Sequence, residues 1–165
     1  MIIIGLVGWK NSGKTFLAQK IITKLTSLNY SVSAIKHAHH DFDIDKPNTD
    51  SFLHRKAGSQ QVIISSPKRW AKITELKDQK EKTLENLINQ LENTDIVIVE
   101  GFKKENHKKL EIINNSNYVR GFMFEKINNV VGIISDIHIN SFEKKQFKKN
   151  QIDEIVKFII NFKNE

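Results

Sequence analysis

The chain predicts a three-layer α/β fold with a mainly parallel sheet and an added antiparallel hairpin. Three observations carry that prediction. A short apolar run, a glycine-rich turn and an amphipathic stretch follow one another at the N-terminus. A second apolar run, Asp95-Ile96-Val97-Ile98-Val99-Glu100-Gly101, reads as a buried strand that ends in an acid. Two short β-rich runs flank Pro67-Lys68 at hairpin spacing.

The N-terminal unit comes first. Ile2 to Val7 has the length and composition of a buried strand. Gly8-Trp9-Lys10-Asn11-Ser12-Gly13-Lys14-Thr15 matches the phosphate-loop pattern G-x-x-x-x-G-K-[ST]. From Phe16 to Leu25, apolar residues at 17, 18, 21, 22 and 25 repeat at helical spacing. Strand, loop and helix in this order place loop N–H groups and a helix N-terminus against a polyanion. Gly8 and Gly13 let the backbone approach phosphates closely. The loop, with Phe16 after it, is therefore the candidate nucleotide site. Lys14 is assigned to the β- and γ-phosphates and Thr15 to a magnesium ion. The expected scaffold is a P-loop NTPase fold.

Ser31 to Lys36 reads as the second strand. Beyond it lies a polar block holding His37, His39, His40, Asp41, Asp43, Asp45 and Asp50. Ligands collect beyond the carboxyl ends of parallel strands, so the position suits a site. Three readings stay open: a transition-metal site, a loop facing nucleotide or substrate with an aspartate on magnesium through water, or an exposed loop with no special role. Thr49 or Asp50 is placed to cap a short helix through Lys56, closed by Ala57-Gly58.

Gln61 to Ser66 and Arg69 to Glu75 are the hairpin, expected to extend the parallel core. Residues 80–92 read as a helix with Leu84, Leu87, Ile88 and Leu91 on one face. Glu100 then stands where phosphate-loop proteins place a carboxylate facing magnesium, with direct or water-mediated contact both open. Phe102-Lys103 lines the same place. Lys109 to Ile113 and Tyr118 to Phe124 are weaker strand candidates. Val130 to Ile134 is a strand ending at Ser135-Asp136. A carboxylate there can accept the N1–H and N2 amine of guanine, a donor pair adenine lacks, although [NT]-K-x-D is absent; the other reading is a turn-starting Asp136. The chain closes with a helix over 151–163.

Composition bounds the rest. At 165 residues the chain predicts one domain, spanning 1–165. Lys and Arg number 26 against 19 Asp and Glu, giving a net charge of +7. The cations are mostly Lys interleaved with acids, which reads as a solvated surface and not as a nucleic-acid patch. No cysteine is present, so disulfides and thiolate metal sites are excluded. No run approaches a membrane span and the first apolar run leads straight into the phosphate loop, so the expectation is a cytoplasmic protein.

Three blocks in order give a resemblance: the phosphate loop, the stretch Lys36-His37-Ala38-His39-His40-Asp41-Phe42-Asp43-Ile44-Asp45-Lys46-Pro47 continuing to Asp50-Ser51 and Arg55-Lys56-Ala57-Gly58, and Val99-Glu100-Gly101-Phe102-Lys103. Together with Ser135-Asp136 they resemble the MobB-type adaptors of molybdenum-cofactor biosynthesis. The resemblance implies a GTP-binding homodimer with slow GTPase activity. It also implies assistance to the guanylyltransferase that joins GMP to molybdopterin, by presenting nucleotide, molybdopterin or its guanine dinucleotide. Lys10 is similar to an extra loop lysine of related proteins, one position off the usual signature. Lys14, Glu100 and Asp45 are the residues expected to organise GTP, magnesium and water. His37, His39, His40, Asp41, Asp43, Asp50, Arg55 and Lys103 form the accompanying functional loops. No arginine finger is evident, and such sites hydrolyse slowly without one. The rivals are a small-molecule kinase using the same loop and a metal-delivery chaperone built on His37, His39 and His40.

Overall fold

The computed structural model describes residues 1–38 and 41–162. The chain divides into two compact units, where composition predicts one domain: Met1–His37 with Leu84–Glu165, and Ala38–Thr83.

The first unit is built on six strands. They are β1 (Ile2–Val7), β2 (Val32–Lys36), β5 (Ile96–Glu100), β6 (Lys108–Ile112), β7 (Val130–Ile134) and β8 (Lys145–Phe147). Their order is β2-β5-β1-β6-β7-β8 and every pairing is parallel. β1 and β5 lie inside the sheet, which is why both are almost continuously apolar. Helices α1 (Lys14–Ser27) and α4 (Ile152–Ile160) cover one face. Leu17, Ile21, Leu25, Ile155 and Ile159 pack there against Ile4, Leu6, Ile96, Ile98 and Leu110. Each such burial is worth about 1.5–3 kcal/mol over exposure.

The opposite face is covered differently. The short helix α3 (Leu84–Ile88) sets Leu84 against Ile35, Val97, Val99 and Phe102. It replaces the longer helix expected over 80–92, because residues 80–83 stay exposed or uncoiled and only the apolar end finds the sheet. Over β6 and β7 the cover is the segment 113–129. Tyr118 to Phe124 is not a strand: a 3-10 helix, Asn115–Arg120, precedes irregular chain whose Phe122 and Phe124 pack on Ile133, Ile139 and Phe142. β8 is a three-residue edge strand with no sequence signal of its own.

The second unit contains α2 (Asp50–Lys56), β3 (Gln61–Ser66) and β4 (Arg69–Thr74). β3 and β4 pair antiparallel around Pro67-Lys68 as a separate two-stranded sheet, not as an extension of the parallel one. Thr49 stands at the cap position of α2, yet its hydroxyl donates to the Lys46 carbonyl at 2.8 Å instead of accepting from the helix. Among the described residues no helix is long and apolar enough to cross a membrane.

Candidate functional site: a phosphate loop at the carboxyl edge of a parallel sheet

β1 delivers the chain to the carboxyl edge of the sheet and α1 carries it away, so the turn between them must be tight. Gly8 has φ of +155°, and a Cβ there would fall 2.6 Å from the Ile112 carbonyl and from Ser12 Oγ. Gly13 has φ of +93° with nothing within 4 Å of its would-be Cβ, which leaves open space over the helix N-terminus. Asn11 supplies the third positive φ, at 64°. Ser12 is 1% exposed, and its N–H donates to the Trp9 carbonyl at 3.2 Å. The loop is thereby a preformed cradle.

Lys14 lies across that cradle. Its Nζ donates to the Gly8 carbonyl at 3.1 Å and the Trp9 carbonyl at 2.7 Å. Burial lowers its pKa from the ordinary lysine range, the charges of Lys103 and Lys36 lower it further, and Glu100 opposes them. Three ammonium groups against one carboxylate make a local field suited to a polyanion.

Thr15 and Glu100 meet as expected. Thr15 Oγ1 donates to Glu100 Oε2 at 3.0 Å. Their meeting follows from topology: β5 neighbours β1, with Leu6 opposite Glu100, so the end of β5 lies beside the start of α1. A hydroxyl and a carboxylate at this separation form an oxygen donor set that fits a hard cation such as magnesium.

His37 leaves β2 at the same corner. Its N–H donates to the Glu100 carbonyl at 2.8 Å, and its ring stacks on Phe102 at 4.5 Å between centroids. A Cβ on Gly101, which has φ of +95°, would sit 2.7 Å from His37 Cβ. His37 therefore buttresses the turn that aims Glu100.

Trp9 is tied to the segment covering β6. Its Nε1 donates to the Gly121 carbonyl at 2.8 Å, with Lys103 and Lys126 ammoniums 5.8 and 5.5 Å from its ring centroid. That segment is itself pinned by Glu111, which accepts the N–H of Met123 at 2.7 Å and of Phe124 at 2.8 Å. Burial raises the Glu111 pKa while the two N–H bonds hold it down. Lys109, 1% exposed, donates to the carbonyls of Glu105, His107 and Asn128. Sequence reasoning missed both residues. The sequence marks Lys109 to Ile113 only as a weaker strand candidate, and nothing in its charges signals burial; only the cover segment makes Lys109 and Glu111 interior.

Asp136 lies past β7 and its Oδ2 accepts from Lys149 Nζ at 2.9 Å. Phe16, Lys20, Asp136, Lys148, Lys149 and Asn150 line a cleft of about 380 Å³. Ser135 turns inward: its Oγ accepts from the Ile137 N–H at 3.2 Å, and its own N–H donates to the Phe147 carbonyl. Ser135 shapes the turn that presents Asp136.

The polar block after β2 is divided between the units. His39 and His40 lie outside the described residues. In the second unit Arg55 gathers the acids: it donates to both carboxylate oxygens of Asp45, to Asp43 at 2.8 Å and to Glu75. The guanidinium holds the Asp45 carboxyl below the usual carboxylate range. Asp45, expected beside magnesium, thus has both oxygens on Arg55. Asp41 is exposed, and Asp50 begins α2. A cleft of about 620 Å³ lies wholly within this unit, lined by Asp45, Asp50, His54 and Val62 to Ser65 among others. Among the described residues no group of three His, Cys, Asp or Glu side chains is arranged to hold a metal ion.

Comparison with known proteins adds a family. The MobB family model, described as molybdopterin guanine dinucleotide synthesis protein B, matches residues 3–136. The molybdopterin-guanine dinucleotide biosynthesis adapter protein of Escherichia coli (strain K12) is 32% identical over 162 residues, which cover 97% of this chain and 92% of that protein. The adapter of the same name from Haemophilus influenzae is 43% identical over 105 residues, covering 62% of this chain and 58% of its own. A crystal structure of molybdopterin-guanine biosynthesis protein B superposes with a TM-score of 0.77 at 23% identity, over 96% of this chain and 98% of the other. That of Bacillus subtilis MobB gives 0.76 at 20% identity over the whole of both chains. The structural likenesses show a common fold.

Proposed function

This chain belongs to the MobB family, and on that premise we propose that it is a magnesium- and GTP-binding adapter of molybdopterin-guanine dinucleotide biosynthesis. It acts as a homodimer on the guanylyltransferase that attaches GMP to molybdopterin, and hydrolyses GTP slowly. The observation that carries the nucleotide reading is the pairing of a cradle with a cation donor set. The loop from Gly8 to Thr15 is preformed with Lys14 across it, and Thr15 lies 3.0 Å from Glu100.

The chain's own groups divide the work. Loop N–H groups and Lys14 Nζ neutralise phosphate oxygens, and the α1 N-terminus adds its dipole. Thr15 Oγ1 and Glu100 would hold magnesium, which when bound would supply charge neutralisation to the phosphates. His37, through the Glu100 carbonyl and Phe102, keeps that carboxylate at the edge. Asp136, in the cleft that Phe16 and Lys20 of α1 also line, accepts the guanine N1–H and N2 amine. Slow hydrolysis fits a class in which fast phosphoryl transfer relies on an added arginine; of Arg55, Arg69 and Arg120, Arg55 is committed to Asp43, Asp45 and Glu75. Three arginines far apart in sequence weigh against a small-molecule kinase, whose lid typically bears several.

The test is reconstitution. GMP transfer to molybdopterin by the guanylyltransferase is measured with this protein, without it, and with Lys14→Ala. The proposal expects stimulation by the parent, none by Lys14→Ala, and copurification with the transferase. Equal stimulation by both proteins would remove the nucleotide site from the function.

A further inference from the structure

We propose that Lys149 reads the base of the bound nucleotide jointly with Asp136, on a platform supplied by Phe16. The proposal deepens the guanine-nucleotide reading above and rests on it. β7 and β8 are adjacent and parallel, with Ile134 opposite Phe147, so the loops leaving them emerge side by side. Asp136 comes from the first loop and Lys149 from the second. Both lie at the carboxyl edge that also carries the phosphate loop, and Phe16 stands in the first turn of α1, directly after Thr15. Phe16 thus follows the phosphate loop directly and lines the same cleft as Asp136 and Lys149, which sets that cleft beside a nucleotide whose phosphates sit on the loop.

The chemistry of the pair selects among purines. Guanine presents N1–H and an N2 amine as donors and O6 as an acceptor on neighbouring atoms. A carboxylate accepts the two donors and an adjacent ammonium donates to O6. Adenine presents the reverse: its N1 acceptor would face the carboxylate and its N6 amine the ammonium. The 2.9 Å ion pair sets the two side chains at neighbouring positions, and the ammonium holds the Asp136 carboxyl below the usual carboxylate range, so the acceptor stays ionised at neutral pH. Phe16 is 62% exposed, a large apolar ring facing water on the cleft wall, with Lys20 Nζ 4.5 Å from its centroid on the same helix. Such a ring is a stacking surface for any base. The [NT]-K-x-D pattern places its lysine two residues before its aspartate; here the lysine arrives from the next strand's loop, so no local pattern reveals it.

Titration calorimetry of the full chain with magnesium and GTP, ITP, XTP, ATP or inorganic tripolyphosphate tests this. Lys149→Met keeps the aliphatic stem and removes the donor. It is expected to weaken GTP and ITP alike by about tenfold to a hundredfold, since both carry O6, and to spare tripolyphosphate. Asp136→Asn is expected to move the preference from GTP to XTP, whose C2 carbonyl accepts from the new amide. Phe16→Ala is expected to weaken every purine nucleotide by about tenfold without altering their order. GTP binding by Lys149→Met as tight as the parent's, or tighter, overturns the role of the lysine while leaving the nucleotide site standing. Failure of the parent to bind any nucleotide overturns the reading beneath it.

Discussion

Removal of the Glu111 carboxylate should release the segment that anchors Trp9 of the phosphate loop. In Glu111→Ala the N–H groups of Met123 and Phe124 lose acceptors at 2.7 and 2.8 Å, at a position where Met123 is buried. An unsatisfied buried donor costs about 1–3 kcal/mol, and the part-buried Phe124 N–H costs less than the buried Met123 N–H, so the pair costs about 2–5 kcal/mol. Burial of the carboxylate, which raises its pKa, is relieved in the variant and offsets part of that. The net expectation is about 3 kcal/mol, a large share of the 5–15 kcal/mol typical of a domain. Glu111→Gln keeps one acceptor and should lose about half as much. Urea unfolding measures the loss. With a slope of about 2 kcal/mol per molar, the alanine variant should unfold about 1.5 M earlier. Trp9 reports the local event, because its indole N–H is held by Gly121 of the same segment. The other tryptophan, Trp70, is exposed on the hairpin and is replaced by Phe for this measurement. Trp9 emission should shift to the red below the global transition, with faster amide exchange at Met123 and Phe124. A midpoint within 0.2 M of the parent (on the order of 0.5 kcal/mol) together with unchanged Trp9 emission would refute the reasoning.

Other consequences are as direct. Both ring nitrogens of His107 are buried with no hydrogen-bond partner among the described residues. Burial and then the Lys109 charge push its pKa down to about 4 from 6.5. Between those values the unfolded chain binds the proton and the folded chain does not. Stability should therefore fall as pH drops from about 6.5 toward 4, by on the order of 2 kcal/mol after allowance for partial exposure. His107→Leu should flatten that part of a pH–urea profile, and an unaltered slope would contradict it. Gly8→Ala, with its Cβ aimed at the Ile112 carbonyl, should cost about 2 kcal/mol or more and abolish nucleotide binding, read by thermal unfolding and titration. Arg55→Met leaves Asp43, Asp45 and Glu75 without their shared cation, so proteolysis within residues 38–83 should accelerate; a parental cleavage rate would sink that reading.

Much of this was legible in the chain because the phosphate loop is local: its glycines, lysine and threonine lie within eight residues, and backbone geometry follows from their identities. The parallel strands were legible as well, since burial on both faces writes Ile2 to Val7 and Ile96 to Val99 as unbroken apolar runs. Glu100 was found because a strand end next to the loop is a topological expectation. What escaped depends on distant chain. Phe122, Met123 and Phe124 look strand-like, but their apolarity serves to cover β6 and β7. Lys109 and Glu111 look solvated until that cover is in place. β8 is too short to signal, so Lys149 had no position before the fold supplied one. The polar block after β2 looks like one cluster, yet His37 turns to Glu100 while Asp43 and Asp45 turn to Arg55.

The central claim, that the loop from Gly8 to Thr15 with Glu100 binds a guanine nucleotide through magnesium, is tested most directly by titrating the purified parent with GTP and ATP, with and without magnesium, beside Lys14→Ala and Thr15→Ala. The account predicts a magnesium-dependent preference for GTP, lost in Lys14→Ala and made independent of magnesium in Thr15→Ala. Preference for ATP, or binding that neither substitution alters, would contradict it.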